Sequence, residues 1–415
     1  MSDPQAFLNG EIHNWYNFVL GFSDKLVSAM MDRLDVQEGQ IVLDPFCGTG
    51  TTLVESMKRG IVSVGIDASP FSCFVSRVKT NRALSADVLL STLVDVGIEY
   101  EKSRTSLDSL HTSAYKYLED SGMLARGWIS KVPLRHALAL KEAIYRAAPN
   151  AACRDAFLLA LVSNLSTKIG NMKYGPEIYR YRRRRSVDVW EIFQKNALQM
   201  IKDLCIAENA ADLAAARVLR GDARNCSSIL LRNGYKKIHV AITSPPYPAE
   251  HDYTRNTRLE LAFLDFVTSN DCVRSIKRSM VRSHTKGVYK SDRDALLVRD
   301  NKEINLLAEK VARRVKGKSY GFARLYPTVI RSYFGGMKRH LESVHSVLAH
   351  QGRYAIVVGD QASYLGTHVP TADLLGQIAE ETGFKVEDQI VWRTRKPSTK
   401  KKLMKEHALI LKKVG

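Results

Sequence analysis

Residues 41–67 constrain the fold of this chain more than any other stretch. Ile41-Val-Leu43 is a short β-branched apolar run, which predicts a buried strand. The turn after it, Asp44-Pro-Phe-Cys-Gly-Thr-Gly50, carries two glycines, and Thr51-Thr-Leu-Val-Glu55 opens a helix running to about Arg59 or Gly60. A second strand, Ser63-Val-Gly-Ile-Asp67, ends on an acid. Strand, turn, helix and strand form one unit of a doubly wound α/β sheet. In such a sheet small residues admit a ligand to the backbone, and the helix start offers unpaired N–H groups. The acid ending the second strand is placed to hold ribose hydroxyls. Taken alone, Asp67 reads as a helix N-cap; the glycine turn before it shifts the reading to a ligand.

A second stretch adds chemistry. Ile238-His-Val-Ala-Ile-Thr243 is again a buried-strand pattern, and it stops at Ser244-Pro-Pro-Tyr247. Two prolines fix the backbone and remove two N–H donors. One hydroxyl and one aromatic ring therefore project from a stiff corner at a strand end.

The remaining chain sorts by periodicity. A helix is expected after Ser23, with Leu26, Val27, Met30, Met31 and Leu34 on one face. From Phe71 to about Ala210 the pattern is mainly helical, too long for one crossover, and predicts a helical insertion. Arg217–Ala223 reads as a third strand ending in Gly-Asp. Residues 248–335 interrupt the sheet again and are rich in Lys and Arg, including Lys277, Arg278 and Arg282. A helix over about Gly336–Ala349, a strand Tyr354–Val358, a helix Thr371–Glu381 and strands Val386–Trp392 and Ala408–Lys412 follow, with a basic hairpin loop at Arg393–Lys405.

The formal charge of +19 over 415 residues favours a polyanionic partner. The excess is clustered. Lys173 to Ser186 interleaves Tyr174, Tyr179 and Tyr181 with Arg180, Arg182, Arg183, Arg184 and Arg185, a mixture suited to phosphates and to base stacking. A solvated basic loop is the plainer assignment for such a run. The six cysteines show no Cys-x-x-Cys spacing and the histidines no ligand spacing, so no metal site is expected. No signal peptide and no apolar run of membrane-span length are seen, which points to the cytosol and to no membrane partner.

Two motifs carry a family resemblance. Asp44-Pro-Phe-Cys-Gly-Thr-Gly50 resembles the S-adenosylmethionine motif of DNA amino-methyltransferases, and Thr243-Ser-Pro-Pro-Tyr247 resembles their catalytic motif. The match covers the sheet units, about half the chain. It implies a Rossmann-like methyltransferase sheet, mostly parallel with the last strand antiparallel, interrupted by a large helical insertion and a second basic one. It implies S-adenosyl-L-methionine as cofactor and DNA as partner. Carried over, Asp44, Pro45, Phe46, Gly48, Gly50 and Thr51 form the cofactor turn. Asp67 and Ala68 take the ribose, Asp222 and Ala223 the adenine, and Tyr16, in a looser match over Tyr16–Ser23, helps at the methionine end. Ser244, Pro245, Pro246 and Tyr247 are the catalytic set, and Tyr253 and Arg255 join the basic cluster as candidate nucleic-acid contacts.

An exocyclic amino group is a poor nucleophile because its lone pair is conjugated into the ring. The Ser244 hydroxyl and Pro245 carbonyl, held still by the prolines, are placed to accept its two hydrogens, and Tyr247 to stack on a flipped base. No cysteine follows the prolines, which argues against attack on a ring carbon. In the family, Ser at the first position is typical of N4-cytosine enzymes and Asp or Asn of N6-adenine enzymes, so cytosine N4 is favoured. Adenine N6, an RNA base, and a binding protein without catalysis stay as alternatives. The resemblance implies a prokaryotic cytosol and a restriction–modification or defence setting, with cognate restriction or defence proteins as partners. Residues 1–82 then hold the N-terminal motif and cofactor half, and 211–247 with 336–415 the catalytic half. The insertions, 83–210 and 248–335, are the candidates for target recognition. The long insertion precedes Asp222, a layout unlike the family's usual ones, so motif order does not say which insertion reads the bases.

Overall fold

The computed structural model describes residues 12–18, 21–104, 112–174, 178–181, 186–207, 214–316, 321–395 and 403–414. Seven strands form the main sheet: β1 (Ile41–Asp44), β2 (Val62–Asp67), β3 (Ala216–Arg220), β4 (Ile238–Thr243), β5 (Leu348–Gly359), β6 (Phe384–Arg395) and β7 (Met404–Lys413). Their order is β3-β2-β1-β4-β5-β7-β6. The first five are parallel, and β7 runs antiparallel to both neighbours. The mostly parallel sheet with an antiparallel final strand is therefore what the chain forms. The order reverses between β1 and β4. At that point the chain ends of two adjacent strands diverge and open a crevice.

Both faces of the sheet are buried, and the alternation along each strand shows how. Val42, Val240, Ile242, Ala355, Val357, Ala408 and Ile410 pack under helix α1 (Asp24–Arg33). Their neighbours Leu43, Ala241, Tyr354, Ile356, Val358, Leu409 and Leu411 point to the other face. That face is covered by helices α5 (Tyr326–Val347) and α6 (Thr371–Glu381). Ser23 caps α1 by accepting from the Leu26 amide (3.2 Å). The other sheet helices are α2 (Thr51–Lys58), α3 (Pro70–Lys79) and α4 (Cys226–Arg232).

The helical insertion comprises helices Ala86–Ser103, Ser113–Asp120, Lys131–Ala147, Ala151–Val162 and Val189–Ala207. They share a second core with Phe71, Phe74 and Val78 of α3. Residues 248–335 divide between the two cores. Leu259, Phe263, Val273 and Ile276 join the insertion helices, whereas Val281, Val298, Ile304 and Val311 join the sheet. Among the described residues no helix is long and apolar enough to cross a membrane.

Two boundaries differ from the sequence expectation for identifiable reasons. Helix α5 starts ten residues before Gly336 and runs through Gly335-Gly336. The glycines do not begin the helix; they admit a neighbour. Any side chain at Gly335 would overlap the Asp294 carbonyl oxygen, and one at Gly336 would lie 3.1 Å from its carboxylate. The hairpin at Arg393–Lys405 is shorter than expected, because Arg393, Thr394 and Arg395 pair with Glu406, Lys405 and Met404.

Candidate active site

The crevice between β1 and β4 is assembled by one buried acid. Asp44, the last residue of β1, is fully buried. Its carboxylate accepts from the Phe46 amide (3.1 Å), Thr52 Oγ1 of α2 (2.6 Å) and Thr243 Oγ1 of β4 (2.5 Å). Asp44 thus ties the glycine turn, the following helix and β4 into one block. Burial lifts its carboxyl to about 6.

Within the turn Gly50 has φ 87°, and a Cβ there would sit 2.9 Å from Ser76 Oγ. Gly50 cannot cap α2 with a side chain, and the first turn of that helix begins at the cavity wall with Thr51. Asp67, ending β2, accepts from the Gly48 amide (3.0 Å) and the Ser69 amide (2.8 Å), bridging the turn to α3. Burial lifts its carboxyl to about 7.

At the end of β4, Ser244 Oγ donates to the Val357 carbonyl of β5 (3.2 Å) and lies 3.4 Å from the Tyr247 hydroxyl. The Tyr247 hydroxyl donates to Glu406 Oε1 on β7 (2.8 Å). The far wall comes from residues 277–287. Lys277 pairs with Asp252 (2.5 Å), and burial lowers the His284 ring to about 4, so it is neutral near pH 7.

One cavity is lined by Pro45, Phe46, Gly48, Thr51, Asp67, Ala68 and Ala223 together with Ser244, Pro245, Pro246, Tyr247 and Tyr253. Four expected cofactor residues do not line it. Asp44 and Gly50 brace the turn from behind. Tyr16 is buried edge-on against Phe71 (5.0 Å), and Lys79 Nζ holds its carbonyl at 2.9 Å. Phe18 and Phe22 reach the cavity in its place. Asp222 is engaged by Arg224 through the amide (2.9 Å) and the guanidinium (2.7 Å), and Arg224 also pairs with Asp294 (2.5 Å).

The candidate nucleic-acid residues lie apart from the cavity, Tyr253 excepted. Tyr179 and Arg180 form a two-residue ribbon strand paired with Met172–Lys173, and Tyr179 and Tyr181 are exposed. Tyr174 turns inward and donates to the Asn256 carbonyl (3.1 Å). Arg255 is half-buried in the short helix Tyr253–Asn256 and does not line the cavity. Arg182, Arg183, Arg184 and Arg185 lie outside the described residues. Two cations of the basic insertion are structural: Lys277 and Arg282 are buried in pairs with Asp252 and Asp292.

Sequence reasoning missed Phe18, Phe22, His284, Arg393 and Glu406 as lining residues. Phe18 and Phe22 fall within the loose Tyr16–Ser23 match, which singled out Tyr16 in their place, and Glu406 is the lone acid of the final strand.

The family model described as DNA methylase, for N6 and N4 methyltransferases, matches residues 20–76, which span α1, the glycine turn and Asp67. That stretch of the chain is similar to the amino-methyltransferase DNA methylases. Over 451 residues the chain is 22% identical to the Type II methyltransferase M.BsoBI of Geobacillus stearothermophilus, covering 99% of this chain and 86% of that protein. To the Type II methyltransferase M.AvaI of Anabaena variabilis it is 25% identical over 422 residues, covering 94% and 83%. A shorter match, 41% over 71 residues, links 17% of this chain to 13% of the Type II methyltransferase M.MjaII of Methanocaldococcus jannaschii.

The cavity fits the cofactor that the family implies. Beside Gly48 a Cβ would meet only the Phe46 carbonyl, at 4.0 Å, so the turn is open to a ligand. Asp67 offers a carboxylate, and Phe46, braced edge-on by His340 at 4.8 Å, offers an aromatic face.

Proposed function

We propose that this protein is a DNA methylase that transfers a methyl group from S-adenosylmethionine to the exocyclic N4 of cytosine, as the modifying half of a restriction–modification pair. The observation that carries the proposal is the shared cavity: the Ser244–Tyr247 corner opens into the space bounded by Gly48 and Asp67. The cofactor supplies a methyl group already activated on a sulfonium. The protein has to place and polarise the acceptor. Ser244 commits its proton to Val357, so its lone pairs remain for an amino hydrogen. Pro245 adds a carbonyl that the following proline keeps in place. Asp67, when ionised, accepts from the ribose hydroxyls, and Tyr247 provides the stacking face. Serine at the first motif position supports cytosine over adenine. The Type II names of the relatives support DNA and the restriction setting.

The test is transfer from labelled S-adenosylmethionine to duplex DNA, single-stranded DNA and bulk RNA, with nucleoside analysis of the product. N4-methylcytosine from DNA is expected. N6-methyladenine would move the base, and label confined to RNA would overturn the DNA assignment.

A further inference from the structure

Two hydroxyls meet in the catalytic corner, and the direction of their hydrogen bonds decides whether Ser244 can accept. If Tyr247 donated to Ser244 Oγ, it would occupy a lone pair that the amino group needs. The Tyr247 hydroxyl has one proton, and it goes to Glu406 Oε1 at 2.8 Å. Glu406 is buried, lines the cavity and pairs with Arg393. Arg393 is its direct cross-strand neighbour on β6, and Gly359 of β5 faces it on the other side. A carboxylate paired with a guanidinium accepts and does not donate. The proton of Ser244 is likewise committed, to the Val357 carbonyl two residues before Gly359.

We propose that Glu406, held by Arg393, is a positioning residue that sets the hydrogen-bond polarity of the corner. It draws the Tyr247 proton away from Ser244 and so keeps the serine oxygen an acceptor. The inference rests on the methyl-transfer reading above. No residue of the Ser-Pro-Pro-Tyr motif itself performs this task; it comes from the antiparallel hairpin at the far end of the chain. The hairpin register delivers acid and base to the same height beside the motif.

The experiment is a double-mutant cycle on methyl transfer. Glu406→Gln keeps size but lets the amide either donate or accept, so the direction is no longer imposed. Its kcat should fall about tenfold, the worth of one misdirected hydrogen bond. Cofactor affinity and KM for DNA should stay within about twofold. Tyr247→Phe removes the hydroxyl that Glu406 controls, so adding Glu406→Gln to it should cost nothing further. Arg393→Met leaves the carboxylate but frees it, and should show a smaller kcat loss that also vanishes beside Tyr247→Phe. Equal losses from Glu406→Gln with and without the Tyr247 hydroxyl would overturn the proposal, as would an unchanged kcat. A loss of cofactor affinity parallel to kcat would show a merely structural role and overturn it too. Wild-type protein that transfers no label would instead reject the methyl-transfer reading itself.

Discussion

Asp67 and Ser244 carry the sharpest expectations at the scale of single residues. The Asp67 carboxyl is raised to about 7 by burial, although two backbone amides pull the other way. Accepting ribose hydroxyls needs the ionised form, so binding must release a proton below pH 7. Cofactor affinity should rise as pH increases from about 5.5 to 7 and level off above, and Asp67→Asn should flatten that dependence; calorimetry across the range reads both. The same shift acts on folding in the opposite sense. A carboxyl raised above its unfolded value contributes stability that is full below about pH 4 and is lost as pH rises through 7. Ser244→Ala should leave cofactor affinity within about twofold and lower turnover at least about a hundredfold, the scale seen when a preorganised polar contact is removed. A variant that kept its turnover would remove the serine from the reaction. Asp44 shows where reading by motif overreaches. Its place before the glycines suggested ligand contact, but Thr52 of α2 and Thr243 of β4 claim it, and Thr243 reaches it only through the packing of β1 against β4.

Between single residues and the fold stands the turn after β1. Its left-handed Gly50 lies against Ser76 of α3, whose hydroxyl donates to the Gly48 carbonyl at 2.8 Å. Gly50→Ala would add backbone strain and a contact with Ser76 at once. Denaturant unfolding should show a loss of at least about 2 kcal/mol, with cofactor binding weakened alongside. This unit was legible in the sequence because strand, turn and helix are each set by near neighbours in the chain. The same holds for α1, whose apolar positions and serine cap lie within a dozen residues. Elements whose limits depend on distant partners were less legible. The extension of β6 and β7 toward their turn comes from cross-strand pairing, and the glycine pair inside α5 answers to a backbone contact with residue 294. Periodicity along the chain registers neither.

For the whole molecule, the net charge of +19 was plain in the sequence, but the sense in which each cation faces was not. Lys277, Arg224 and Arg282 turn inward to Asp252, Asp222, Asp294 and Asp292. Such pairs stiffen the wall of the cavity and leave the polyanion to other cations. The run Arg182 to Arg185 is the candidate with the densest charge. Replacing all four with alanine should weaken DNA binding and flatten the plot of log affinity against log salt. The slope should change by about 0.9 for each phosphate that the protein no longer neutralises; an unchanged slope would return the run to bulk solvation. The packing of α5 on the second insertion has a further consequence, for how freely this sequence can drift. At Gly335 the obstacle is main chain, which cannot swing aside as a side chain can. Gly234 has a left-handed φ of 87° but nothing within 4 Å of a would-be Cβ. In a saturation library selected for activity, position 234 should tolerate asparagine, while position 335 should return glycine and nothing else.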